Sequence, residues 1–415
     1  MNYVIIGASA AGIHAASTLR DLDALANITL ISKEKDIVSR CILYHHIKGI
    51  RNLKQLSFVE EDFMEKNRID WLCGREAVGV DPMNKTVKLS DKTTVSYDKL
   101  LIASGSHPFF PPIPHLREAD NVVGFRDFCD VEEIERRLPD IENIVVMGGG
   151  LVGIDVIAGL LPHHKTITLV EMGDRMLPIQ LDETAAKTYQ DAFAKEGVKQ
   201  YYGTGIESLC VDGETIQEVI LQNGEHIACD LLICAAGVRA NVEFLKDSGI
   251  ACDKFGLLFD VHGMCSLPDI YGAGDVSGRN PIWPVAVKEG IIAASNMAGV
   301  KKSMDDFFAS KSTMNFLGIP TMSLGKTSGF DESYMIETMK DGEGNYKKII
   351  HKDGIIYGAL LQGDLSYAGI LTQLIRARID VSKVKKPLFQ IDYSDFFQMR
   401  NNFEFTYETA AEGEE

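Results

Sequence analysis

The sequence predicts an α/β fold built on two βαβ units, and three observations predict it. Val4-Ile5-Ile6-Gly7-Ala8-Ser9-Ala10-Ala11-Gly12 runs from an apolar strand through a glycine turn into a helix. The same order returns in Ile144-Val145-Val146-Met147-Gly148-Gly149-Gly150-Leu151-Val152-Gly153. A later strand, Ile270-Tyr271-Gly272-Ala273-Gly274-Asp275, ends in a Gly-Asp turn. A helix that starts at such a turn presents free N–H groups and a positive dipole end to a phosphate. In this strand–turn–helix context each glycine pattern becomes a dinucleotide-binding signal. Two units in one chain imply two dinucleotides, and electron transfer between them.

Size and composition narrow the function classes. The chain has 415 residues, enough for two or three domains, and a net charge of −17. That charge argues against a nucleic-acid partner and against an anionic membrane surface. No apolar run approaches the roughly 20 residues that span a bilayer. The first strand starts near Tyr3, which leaves no room for a signal peptide. Cysteines stand at 41, 73, 129, 210, 229, 234, 252 and 265, with no CxxC pair. The expectation is a reduced thiol set in a cytoplasmic protein, without an iron–sulfur or zinc site.

The elements follow in order. Residues 2–6, 11–22 and 28–31 form the first βαβ unit, and 85–97 an antiparallel hairpin. Residues 100–103 form a strand that meets Ser104-Gly105-Ser106. Pro108, Pro111, Pro112 and Pro114 mark a domain crossing. A helix is expected to start at Asp130, with Glu133 reaching back to it. The second unit comprises 144–146, 151–161 and 166–170, and its sheet continues to 231–237. A helix covers 282–297. Short strands follow from Asn315, then a helix over 367–378. Residues 408–415, small and acidic, are expected to be disordered.

In the first turn Gly7 permits the bend and Gly12 brings helix close to strand. Ser9 stands where a second glycine would let a pyrophosphate approach, and the N–H groups of Ala10 and Ala11 lie beside it. Ser32 occupies the usual position of a ribose-binding acid, so Glu34 is the candidate. The second turn has all three glycines, Gly148, Gly150 and Gly153, with Leu151 and Val152 opening the helix. Glu171 follows the next strand. A carboxylate there accepts hydrogen bonds from a ribose diol and repels a 2′-phosphate, which predicts NADH over NADPH. Arg175 is near enough in sequence to weaken that discrimination.

With these motifs in this order, about residues 2–380 resemble the pyridine nucleotide–disulfide oxidoreductase superfamily. The resemblance also rests on Leu101-Ile102-Ala103-Ser104-Gly105-Ser106 and on Ala236-Gly237-Val238-Arg239-Ala240-Asn241. It implies two Rossmann-like domains, for FAD and for NAD, the NAD domain inserted in the FAD domain, plus a C-terminal α+β domain. The expected boundaries are 1–113 with 250–312 for FAD, 114–249 for NAD, 313–400 for a C-terminal interface domain, and 401–415 for a disordered tail. Gly274 and Asp275 match the second FAD motif, whose Asp bonds the ribityl chain. Trp283-Pro284-Val285-Ala286-Val287-Lys288-Glu289-Gly290 resembles the helix entry at the flavin's pyrimidine side, with Lys288 where Gln is usual. The implied reaction takes hydride from NADH to flavin, and electrons then pass onward.

Cys41 decides where the electrons go. One cysteine in Ser39-Arg40-Cys41-Ile42-Leu43-Tyr44-His45 excludes the two-cysteine disulfide reductases. Arg40-Cys41-Ile42-Leu43 resembles the Arg-x-x-Leu of rubredoxin and ferredoxin reductases and of the nitrite reductase flavin domain. Their flavin-neighbouring Lys falls at about His45. Cys41, eight residues before Gly49, also has the spacing of NADH oxidases, NADH peroxidases and CoA-disulfide reductases, where a helix N-terminus would activate the thiolate. The favoured reading is transfer to a redox protein or a metal-containing partner subunit, in a homodimer or hetero-oligomer. The alternatives are a Cys41-dependent reductase and a non-catalytic nucleotide-binding scaffold. Lys48, Arg51 and Lys54 offer a basic patch to an acidic carrier. Asp155 either holds the helix near the nicotinamide or is a helix-start charge. His14, His45-His46 and His163-His164 make no metal site.

Overall fold

The structure is a computed structural model that describes residues 1–304, 311–399 and 405–407, of which 397–399 and 405–407 are described by backbone alone. Asn2–Ile6 is the middle of five parallel strands, in the order Ile270–Gly272, Lys99–Ile102, Asn2–Ile6, Asn27–Ser32 and Ile69–Cys73. A parallel sheet is covered on both faces, so its strands are continuous apolar runs. Successive side chains of the first strand feed two cores. Tyr3 and Ile5 pack with Ala15, Ala16, Leu19, Ala293 and Ala294 of two helices, Ala10–Leu22 and Trp283–Met297. Val4 and Ile6 pack with Val80, Val87 and Leu89 of an antiparallel meander on the other face.

A second parallel sheet has the order Lys199–Tyr202, Thr166–Glu171, Asn143–Met147, Leu231–Cys234 and Val122–Val123. Its strands all fall in the chain between Lys99–Ile102 and Ile270–Gly272, so it interrupts the first. The crossing is a two-stranded ribbon, Ser106–Pro108 against Val238–Ala240. Asn241 ties the two passes together, donating to Ser104 O and accepting from Ser104 Oγ through its own carbonyl, both at 2.8 Å. Each sheet carries a three-stranded antiparallel meander, Ala77–Asp81 to Thr94–Ser96 for the first and Ile206–Asp212 to His226–Ala228 for the second.

By contacts the chain divides into two compact units, Met1–Met172 with Val198–Asp305, and Gly173–Gly197 with Asp306–Glu415. The second contains a five-stranded antiparallel sheet in the order Lys311–Phe316, Ile319–Gly325, Ile355–Gln362, Tyr346–Lys352 and Met335–Lys340. Leu371, Leu374 and Ile375 of helix Ala368–Arg376 pack on Leu324, Ile349 and Leu361. Helix Glu183–Lys195 belongs to this unit. Tyr189 donates to Ile319 O at 2.6 Å, and Asp182 accepts from Tyr346 at 2.8 Å and Lys348 at 3.0 Å.

Two local expectations change. The helix expected from Asp130 is Phe128–Arg137, with Asp127 as its N-cap. Asp130 is instead the carboxylate that reaches back, accepting the N–H of Arg126 at 2.6 Å and of Asp127 at 3.0 Å. Glu133 turns to Arg136 and Arg137. Asp-x-x-Asp offered two caps in one register, and the helix starts at the earlier one, with Val131 and Ile134 buried along it. In the expected disordered tail, Phe405–Tyr407 pairs with Phe397–Met399, while 401–404 and 408–415 lie outside the described residues.

Gly290 sets the approach of the two helices under the first sheet. A Cβ there would meet Ala11 O at 2.2 Å. Gly290→Ala is therefore expected to lower stability by about 1–3 kcal/mol, the usual cost of overpacking. Urea unfolding reads it, and an unchanged midpoint would contradict the packing.

Candidate functional site

The two glycine turns use the same backbone collision. Gly7 has φ +114°, and a Cβ on it would lie 2.0 Å from Ala103 O. A Cβ on Gly12 would lie 1.8 Å from Gly7 O. In the second turn the corresponding contacts are Gly148 (φ +111°) to Ala235 O at 2.4 Å and Gly153 to Gly148 O at 1.9 Å. Only glycine lets each helix start this close to its strand. The middle positions differ. A Cβ on Gly150 would meet nothing within 4 Å, so the fold does not require glycine there. An open face beside a helix N-terminus is what a close pyrophosphate requires. Ser9, the equivalent, caps Ala10–Leu22 in extended conformation without a side-chain hydrogen bond to the helix.

A cleft of about 760 Å³ runs from the first turn along the carboxyl ends of the first sheet. Gly7, Ser9, Ala10, Ala11 and Glu34 line it. So do Ala103, Ser104 and Gly105, and Gly274, Asp275 and Ala286. Arg40 and Cys41 enter from the turn Arg40–Ile42. The sequence-predicted FAD residues thus converge on one space, with Gly12 behind them as a packing residue.

Arg126 and Asp127 also line this cleft, and sequence reasoning missed them. They come from the segment that leads into helix Phe128–Arg137. Arg126 donates to the Asp275 carboxylate. Asp127 binds Arg40 at 2.5 Å and Lys33 at 3.3 Å, and Arg40 reaches Glu34 at 3.4 Å. Burial works against the Asp127 charge, but Arg40 and Lys33 outweigh it and hold the carboxyl below its ordinary value. Arg126 Nε is buried with no hydrogen-bond partner among the described residues. The available signal was an arginine placed directly before the Asp127 helix cap.

This donor set suits FAD. Helix N–H groups with Arg40 and Arg126 suit a pyrophosphate, Glu34 suits a ribose diol, and Asp275 suits a polyhydroxyl chain. When bound, FAD supplies the capacity to take hydride from a nicotinamide and to release electrons. The chain's own residues would anchor the dinucleotide, and they pair charges along the cleft wall.

At the second turn Glu171 ends its strand and accepts the N–H of Gly149 at 2.5 Å. Its carboxylate is thereby held beside the opening of helix Leu151–Leu160, where Leu151 and Val152 are the first residues. Gly237 (φ +109°) begins the return ribbon. Arg175 pairs with Asp174 at 2.7 Å and donates to Leu181 O at 3.1 Å.

Cys41 and His45 depart from expectation. Cys41 is the middle of a three-residue 3-10 turn, so no long helix dipole activates it. It opens onto the cleft. Burial in the surrounding protein, and then Asp155, push its thiol up to about 11, against Arg126 and Arg40. Asp155 is itself held well above its ordinary pKa by burial. His45 does not line the cleft; its ring sits edge-on to Tyr44 at 4.3 Å. Burial, then Arg51 and Lys48, lower its pKa and disfavour the imidazolium form. The remaining histidines are used locally, His46 with Glu135 at 2.8 Å and His163 with Ile47 O at 2.7 Å. Among the described residues no helix is long and apolar enough to cross a membrane.

Residues 1–290 match the model of the pyridine nucleotide-disulphide oxidoreductase family, and residues 311–379 match the rubredoxin NAD+ reductase C-terminal domain. The chain belongs to the pyridine nucleotide-disulphide oxidoreductase family. It is an FAD-dependent NAD(P)H oxidoreductase with FAD and NAD(H) as its dinucleotides. It is 31% identical over 320 residues to an NADH oxidase of Methanocaldococcus jannaschii, covering 72% of this chain and 71% of the relative. It is 26% identical to the epsilon subunit of the NADH-dependent phenylglyoxylate dehydrogenase of Aromatoleum evansii, covering 92% and 93% of the two chains. The crystal structure of NADH:rubredoxin oxidoreductase from Clostridium acetobutylicum aligns with a TM-score of 0.75 and 26% identity over 93% of this chain and 97% of that one.

Glu171→Ala is expected to narrow the ratio of kcat/KM for NADH over NADPH by about tenfold, or about 1.4 kcal/mol. Steady-state assays with both coenzymes measure it. Equal efficiency with NADPH in the unmodified protein would defeat the assignment of Glu171.

Proposed function

We propose that this chain oxidises NADH and delivers the electrons to a redox protein or a metal-containing partner subunit, with Cys41 outside the redox chemistry. The environment of Cys41 carries this reading. A thiol pushed up to about 11 holds almost no thiolate at neutral pH, and the thiolate is the reactive form. The C-terminal match to a rubredoxin reductase domain points the same way, as do a subunit of a larger dehydrogenase and a rubredoxin reductase among the relatives. The acceptor would be reached near Lys48 and Arg51, both exposed, with Ile50 at 55% exposure between them. Lys54 is held by Glu61 at 3.1 Å and leaves that patch. The NADH oxidase relative supports a second reading, in which oxygen is the acceptor.

The flavin-bound protein is expected to be yellow and to bleach on anaerobic addition of NADH. A colourless protein indifferent to NADH after reconstitution with FAD would mean a scaffold. Cys41→Ser is expected to lose less than about tenfold, or about 1.4 kcal/mol, in turnover with a one-electron acceptor. Selective loss of disulfide reduction in that variant would instead identify a Cys41-dependent reductase.

A further inference from the structure

Glu289 is a half-buried carboxyl that the cleft described above does not use. It lies on helix Trp283–Met297, and its Oε2 accepts the N–H of Gly274 at 2.7 Å. Gly274 lines the cofactor cleft. Glu289 itself lines a second cavity of about 420 Å³, walled by Leu257, Phe259, Asp260, Arg279 and Ile292. One carboxyl thus stands between the two spaces, a single peptide group away from the cleft.

Among the described residues, the charged groups around it form no ion pair with it. On the cleft side Asp275 is tied to Arg126. On the cavity side Arg279 is paired with Asp253 at 2.6 Å, and Asp260 accepts the N–H groups of His262 and Met264, both at 2.9 Å. Lys288 precedes it on its own helix. Burial first, and Asp275 second, raise its pKa to about 7 against the Gly274 hydrogen bond.

We propose that Glu289 exchanges a proton between solvent in the second cavity and the wall of the flavin cleft as electrons enter and leave. The proposal rests on the reading of the cleft as an FAD site reduced by NADH. Hydride brings two electrons and one proton, and so adds one negative charge inside the cleft. The Glu289 carboxylate then forms an O–H bond with one proton from solvent and cancels that charge. When an oxidised redox partner removes both electrons, the hydride's proton and the Glu289 proton return to solvent. A new negative charge nearby raises a carboxyl pKa by about 1–3 units, so the exchange belongs to the pH range just above its resting value.

The test uses flavin-loaded protein, anaerobic and weakly buffered at about pH 8, above the resting value of the carboxyl. A pH-indicator dye counts protons taken from solvent while absorbance follows bleaching by NADH. The unmodified protein is expected to take up about 0.4–0.9 proton per NADH, and Glu289→Gln none, because the amide keeps the Gly274 hydrogen bond but cannot titrate. Equal uptake in both, with normal bleaching, overturns the proposal and leaves the flavin reading intact. Failure to bleach overturns the flavin reading itself. Should Glu289→Gln lose FAD, the reduced-minus-oxidised infrared spectrum of the unmodified protein decides. Gain of a carboxylic acid C=O band supports the proposal, and its absence overturns it.

Discussion

The closeness of two backbones is the constraint on which the rest depends. At Gly7 and Gly12, and again at Gly148 and Gly153, a Cβ would lie between 1.8 and 2.4 Å from a carbonyl oxygen. These contacts start a helix directly against its strand, so that its first N–H groups face the carboxyl end of the sheet. Both dinucleotide sites follow from that placement, because an anion there meets donors and a dipole already in position. The small residues of helices Ala10–Leu22 and Trp283–Met297 extend the same logic, since Ala11 and Gly290 let the second helix close behind the first.

Charge along the cleft follows a second logic. Arg126 and Asp127 belong to the segment that enters the inserted part of the chain, yet they pair with Asp275 and Arg40 of the interrupted part. The cleft wall is therefore assembled from chain segments about 150 residues apart, as the Arg126 to Asp275 separation of 149 shows. Cys41, Asp155 and Glu289 share one consequence of this environment. Burial penalises the charged form of each, so all three shift toward neutrality.

Much of the framework was legible in the sequence. The strand–turn–helix order at Val4–Gly12 and Ile144–Gly153, the helix near 282–297 and the final helix all have strong local signals, apolar runs punctuated by glycine. Residues whose role depends on remote partners were not legible. Arg126 reads as an ordinary surface cation until Asp275 is beside it. The helix start at Asp127 rather than Asp130 was a choice between two caps in one register, which the local sequence does not separate.

Sequence alone determined that there are two glycine turns between strand and helix, and that one cysteine stands in the segment Ser39–His45. Those features are local, and each needs only the stereochemistry of glycine or the count of thiols. Tertiary structure decided the surroundings of that cysteine, the position of His45 outside the cleft, and the place of Glu289 between two cavities. These are properties of surroundings, set by burial and by charges that the fold brings from distant parts of the chain.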